Sequence, residues 1–174
     1  MNTKSLGALP ALLLAGCASL TPPDVAPALQ PAANEALAMI VAAKGVQIYE
    51  CRARKEPAAG HEWAFVAPEA ALFDSRGSPM GRHYAGPHWE ATDGSRMLGS
   101  VKERADSPRA SAIPWLLLDA KPVGPNGLFS PVTSIQRVNT SGGVAPASSC
   151  ALETSGAAAR VAYTADYYFY RSKP

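Results

Sequence analysis

The stretch Gly81–Ser95 (Gly-Arg-His-Tyr-Ala-Gly-Pro-His-Trp-Glu-Ala-Thr-Asp-Gly-Ser) gathers His83, His88, Glu90 and Asp93 around the aromatic residues Tyr84 and Trp89. One chemistry it suggests is metal binding. On a strand, side chains two apart point to one face, so His88 and Glu90 would lie together. His83 would join them if the Gly86-Pro87 bend folds its strand back. Two imidazoles and a carboxylate supply three ligands for zinc or iron and leave a position open. The spacing is not that of a compact His-x-His pair, because Tyr84 to Pro87 separate the two histidines. The competing structural role is that of half-buried His and Trp residues hydrogen-bonded to backbone at a bend.

Other chemistries find less support. No Gly-x-Ser-x-Gly elbow is present, and Ser95 and Ser107 sit in turn contexts. A pair of glycosidase carboxylates would have to come from Glu90, Asp93, Glu103 and Asp166 meeting across one cleft. A dinucleotide oxidoreductase is disfavoured by the missing Gly-x-Gly-x-x-Gly fingerprint, and no cofactor is expected. A third chemistry is recognition. Trp63, Tyr84, Trp89, Trp115, Tyr163 and the Tyr167–Tyr170 cluster could line an apolar or carbohydrate groove, with Arg82 and Arg137 at its rim. The candidate ligand site is therefore His83, Tyr84, His88, Trp89, Glu90 and Asp93.

These residues must be positioned by short elements joined by turns, since the chain holds 16 prolines and 14 glycines but only 17% charged residues. Strands are expected at Val46–Arg52, Glu62–Val66, Gly81–Ala85, His88–Thr92, Arg96–Arg104, Ile113–Ala120, Phe129–Val138 and Arg160–Arg171. Asp93-Gly94 is a two-residue hairpin signal. Residues 68–79 read as a turn-rich connector with one apolar plug. Asn34 can cap a helix over Glu35–Lys44, where Leu37, Ile40, Val41 and Lys44 fall at helical spacing and Gly45 closes the run. The expected fold is all-β, an antiparallel sandwich or small barrel of about eight short strands with one N-terminal helix.

The first residues read as an address. Lys4, an apolar run over Leu6–Ala15 and small residues before Cys17 form an export signal too short to span a membrane. Leu14-Ala15-Gly16-Cys17 resembles the bacterial lipobox. It implies cleavage before Cys17, acylation of Cys17 with palmitate among the chains, and, with Ala18 rather than Asp following, residence in the outer membrane facing the periplasm. The expected divisions are a signal peptide at 1–16, a lipidated cysteine with a Pro/Ala-rich tether at 17–33, and one β-rich domain at 34–174. Prolines 22, 23, 27 and 31 favour extended polyproline in the tether. In an oxidising compartment Cys51 and Cys150 form an even pair, and a disulfide is the simplest reading. Neither lies in a Cys-x-x-Cys spacing suited to metal. The formal charge of +2 is too small to gather nucleic acid.

Five ordered strings carry a wider likeness: Gly45–Cys51, His83–Ser95, Ala105–Pro108 with Ile113–Leu117, Val132–Gly143 and Tyr163–Tyr170. Together they resemble the secreted domain-of-unknown-function 3455 (DUF3455) family of bacteria and fungi, over about Gly45 to Arg171. The resemblance implies an exported domain and carries no activity with it. The expected function is a lipid-anchored binding or envelope module whose partners are the membrane, through its lipid, and a small-molecule or envelope-component ligand. The alternative is a small hydrolase or metal-dependent enzyme using His83, His88 and Glu90.

Overall fold

The computed structural model describes residues 20–56 and 60–174; the export signal and Cys17 lie outside them. Eight strands follow in order: β1 (Glu35–Ala53), β2 (His61–Phe73), β3 (Pro79–Tyr84), β4 (His88–Ala91), β5 (Arg96–Ala105), β6 (Trp115–Pro122), β7 (Val132–Gly142) and β8 (Ala158–Ser172). Each pairs antiparallel with the next, and β8 returns to β1 to close a barrel. The architecture is thus all-β, as expected, and of the two forms considered it is the barrel.

Alternation drives the closure. In β8, Tyr163, Ala165, Tyr167 and Phe169 are buried, while Thr164 and Arg160 between and before them face water. The inward set Val41, Leu72, Met97, Phe129, Val132, Ile135 and Phe169 fills the end of the barrel that holds the β2–β3, β4–β5 and β6–β7 loops. We call this the packed end. A disulfide joins Cys51 to Cys150 at the opposite end, with Cα atoms 5.5 Å apart. It ties the end of β1 to the long β7–β8 loop. Closing a loop of this length is worth up to ~4.7 kcal/mol in the chain-entropy model.

Two expectations are overturned. The helix over Glu35–Lys44 is instead the first half of β1, registered on β8 from Glu35↔Ser172 onward. Its alternation is hidden because Ala36 and Leu37 are covered by the preceding segment, with Pro22, Pro23 and Val25 close by. Both strand faces are therefore apolar, and pairing that closes the barrel overrides local helix preference. The first part of the expected connector, 68–73, is also strand, because β2 runs on to Phe73. Pro68 is tolerated there because β2 has only β1 beside it until Ala70, so the missing N–H falls on an unpaired edge.

The segment before β1 does not stand clear of the domain. A 3-10 turn at Pro27–Leu29 buries Leu29 completely, and Gln136 Nε2 donates to the Leu29 carbonyl at 2.6 Å. The Tyr170 hydroxyl donates to Gln136 Oε1 at 2.6 Å, and the Glu35 carboxylate accepts from Ala32 N–H and from the Thr133 and Ser134 hydroxyls. The last turns of the Pro/Ala-rich stretch are thereby fixed to the packed end.

Unequal strand lengths open the wall. The β3–β4 hairpin is short, and β2 pairs with β3 only over Ala70–Phe73 while β5 pairs with β4 only over Arg96–Leu98. From His61 to Glu69 and from Gly99 to Ala105, β2 and β5 therefore have no strand between them. The hairpin tip, Ala85-Gly86-Pro87, forms the floor of this gap, anchored by Gly99 N–H donating to the Pro87 carbonyl at 3.0 Å.

Candidate ligand-binding site

The β3–β4 hairpin has two faces, set by its register of Arg82↔Glu90, His83↔Trp89 and Tyr84↔His88. Directly paired residues share a face. Arg82, Tyr84, His88 and Glu90 are thus outside the barrel, and His83 and Trp89 inside. Outside, the Tyr84 hydroxyl donates to Glu90 Oε2 at 2.7 Å and Arg82 Nη2 lies 2.8 Å from Oε1. These bonds hold the Glu90 carboxyl below the usual carboxylate range, the Tyr84 hydroxyl contributing most. His88 packs flat on Tyr84 at 5.4 Å and its Nδ1 lies 2.8 Å from the Ala85 carbonyl, which locks the turn. Asp93 sits at the packed end. It accepts from the Ser95 hydroxyl and N–H and from Leu128 N–H, bonds that lower its pKa.

The sequence cluster therefore separates into three places. His83 does not meet His88 and Glu90, because residues of odd and even spacing across a tight hairpin point to opposite sides of the wall. Among the described residues no group of three His, Cys, Asp or Glu side chains is arranged to hold a metal.

Inside, His83 is 3% exposed and stacks on Trp89, the ring centroids 4.0 Å apart and 15° from parallel. Tyr167 meets both rings edge-on, at 5.5 and 5.4 Å. His83 Nδ1 lies 2.8 Å from the His88 carbonyl, so that nitrogen carries the proton and donates, leaving Nε2 as an acceptor. Burial is the main reason its pKa is pushed down to about 3, with the Arg137 charge adding to the effect, so the ring is neutral at pH 7.

These rings form one wall of a cavity of about 330 Å³ beneath the gap. Its inner lining is Gln47, His83, Trp89, Leu116, Leu118, Arg137 and Tyr167. Its mouth is Phe65, Val66 and Val101, each at least half exposed, with Pro87 of the hairpin tip. At ~30 Å³ per water the space equals roughly ten waters, the low end of small-molecule pockets. Among the described residues no acidic side chain lines it.

Four buried polar atoms at or beside this space lack a hydrogen bond of full geometry: Gln47 Nε2, Trp89 Nε1, and the Tyr163 and Tyr167 hydroxyls. The two hydroxyls lie within reach of each other, Tyr163 also of Gln47 and Tyr167 also of Arg137, and burial raises the pKa of both tyrosines against the opposing Arg137 charge. A buried polar group short of a partner costs about 1–3 kcal/mol, which water or a polar ligand group in the cavity would offset. Arg137 enters from β7 opposite Tyr167, and its Nε and Nη2 donate to the Pro114 carbonyl at 3.2 and 2.8 Å. Among the described residues no carboxylate pairs with it.

Of the aromatic residues suspected of lining a groove, Trp89 and Tyr167 line the cavity and Tyr163 stands beside it, together with Arg137. Tyr84 and Arg82 are outside, and Trp63 donates its Nε1 to the Ser148 carbonyl near the disulfide. Gln47, Leu116, Leu118 and the mouth residues were not foreseen. Gln47 left a trace in the sequence, since it shares the inward parity of Tyr49 and Cys51 yet is polar.

The fold is an eight-stranded up-and-down barrel with an interior pocket reached through its wall. The chain matches, over residues 31–171, the family described as protein of unknown function (DUF3455), and it belongs to that family. No curated protein and no solved structure is significantly similar to it.

Proposed function

We propose that the protein is a non-catalytic binding module of the bacterial cell envelope, lipid-anchored through Cys17 and holding one small molecule inside its barrel. The observation that carries this reading is the cavity itself. It combines an apolar body of Trp89, Leu116, Leu118 and Tyr167 with polar groups of Gln47, Trp89 and Tyr167 whose hydrogen bonding within the protein is incomplete. Eight strands is the number at which a barrel interior is either filled by side chains or holds one small ligand. Here one end is filled and the other is not. The alternative enzyme would need His83, His88 and Glu90 on one face, whereas the hairpin divides them.

The test is titration of the full chain with the neutral fluorophore N-phenyl-1-naphthylamine, alongside a Val101→Trp variant that fills the mouth. Saturable fluorescence enhancement in the wild type, weakened at least tenfold by Val101→Trp, is expected. Equal signals from both proteins would exclude the cavity as the binding place.

The envelope location rests on the lipobox at Leu14–Cys17 and on a disulfide that suits an oxidising compartment. Lipid on Cys17 would hold the domain at a membrane surface through ~0.8 kcal/mol per buried methylene. Labelled palmitate is expected to enter the wild-type protein in bacteria and not Cys17→Ala. Absence of label from both would remove the anchor.

A further inference from the structure

We propose that the ligand is an amphiphile with an anionic head, bound head-first so that its carboxylate or phosphate meets Arg137 and its apolar tail leaves between Phe65 and Val101. The inference rests on the cavity reading above and specifies its chemistry. Arg137 is half-buried in an apolar lining without a carboxylate partner, and a charge partly removed from water is stabilised when an opposite charge pairs with it. The Pro114 carbonyl occupies Nε and Nη2 of Arg137 but is a neutral acceptor and leaves the charge standing.

The surroundings reinforce the sign. Among the described residues, Arg137 is the one charged side chain in a lining that contains no acid. His83 is neutral there and cannot attract a cation by charge. The Tyr167 hydroxyl, which lies beside Arg137, and the Gln47 amide can both donate, and donors near a cation suit an oxyanion better than an amine. At the other end of the cavity, Phe65, Val66 and Val101 are half exposed apolar groups flanking a gap without strand cover. Gln47, His83 and Tyr167 are buried while the apolar mouth is half exposed, the reverse of a pocket that takes an apolar molecule tail-first with its head in water, and this order favours head-first entry.

The test is displacement of N-phenyl-1-naphthylamine from the full chain by four competitors of one chain length: dodecanoate, dodecyl phosphate, dodecanol and dodecyltrimethylammonium, each below its micelle concentration. One or both anions are expected to displace the probe at concentrations at least tenfold lower than the alcohol, with the cation weakest. Which anion prevails distinguishes a free carboxylate from a phosphate head. In Arg137→Gln the advantage of the anion over the alcohol, each measured against that variant's own probe affinity, should vanish, and Arg137→Lys should restore part of the advantage.

Equal competition by all four in the wild type, or an anion preference that survives Arg137→Gln, overturns the anionic head and leaves the cavity reading intact. If the probe does not bind the wild type at all, both readings fall. Should Arg137→Gln not fold, the wild-type order of the four heads and its weakening by 0.5 M salt decide the matter alone.

Discussion

His83 shows how a residue that looks reactive in sequence becomes structural in space. Its neighbours in the chain suggested metal ligation or a place in a small hydrolase, but its ring is stacked on Trp89 and met edge-on by Tyr167, with Nδ1 committed to a carbonyl. The pKa of about 3 against an ordinary 6.5 has a thermodynamic consequence. Between those values the unfolded chain holds a proton that the folded protein refuses, so stability rises with pH across the window. It is full above about 6.5 and declines as pH falls toward 3. One such proton gives a slope of about 1.4 kcal/mol per pH unit. His83→Phe keeps the stack and removes the titration. Urea unfolding from pH 3.5 to 7 is expected to show a shallower pH dependence in the variant by about that slope, and parallel curves for the two proteins would contradict the buried neutral ring. Which residues would be singled out was legible in the sequence, since His83, Trp89, Tyr167 and Arg137 were all named from it. Their grouping was not. Parity along β3 and β4 sends His83 inward and Glu90 outward, and the direction depends on which face closes, a fact supplied by the other six strands.

At the scale of elements, most strands could be located from alternation and turn signals, because β-branched and aromatic residues bracketed by Gly, Pro and Asp leave few alternatives. The failures share a cause. Glu35–Lys44 and residues 68–73 carry apolar residues on both faces or a proline, and their strand state depends on partners outside their own segment, β8 for the first and β1 for the second. The gap between β2 and β5 is likewise a product of unequal strand lengths, which local sequence does not reveal. Its inner boundary depends on a glycine. A Cβ at Gly99 would lie 2.6 Å from the Trp89 ring, so the indole crosses β5 only because no side chain is there. Where it fits, Gly→Ala stabilises by about 0.4–1 kcal/mol through the unfolded chain. Overpacking instead costs about 1–3 kcal/mol. The sign of the change therefore reports the contact. Gly99→Ala is expected to destabilise by about 1–3 kcal/mol and to alter the near-ultraviolet signal of Trp89, and a stabilised variant would mean that the ring is not held against β5.

For the whole molecule, apolar side chains are inside and polar ones largely outside, the opposite of a membrane-spanning barrel, whose outer band is apolar. The packed end, closed by the β1–β8 seam and braced by Leu29, Glu35 and Gln136, supplies the rigidity, and the disulfide end carries the cavity. Such a division makes binding and stability one quantity. A ligand that enters only the folded barrel adds RT ln(1 + [L]/Kd), about 2.7 kcal/mol at a hundredfold excess over Kd. For a chain of this length each kcal/mol moves Tm by about 2–4 °C, so a saturating ligand should raise Tm by roughly 5–11 °C. The rise is expected with a twelve-carbon anion and to be lost in Val101→Trp, whose own fold should be intact because the substituted position is 59% exposed. Differential scanning fluorimetry or calorimetry of the two proteins, with and without the anion, measures it. A shift of equal size in the variant would place the anion on the outer surface, and with it the Arg137 cavity would lose its claim to be the binding site.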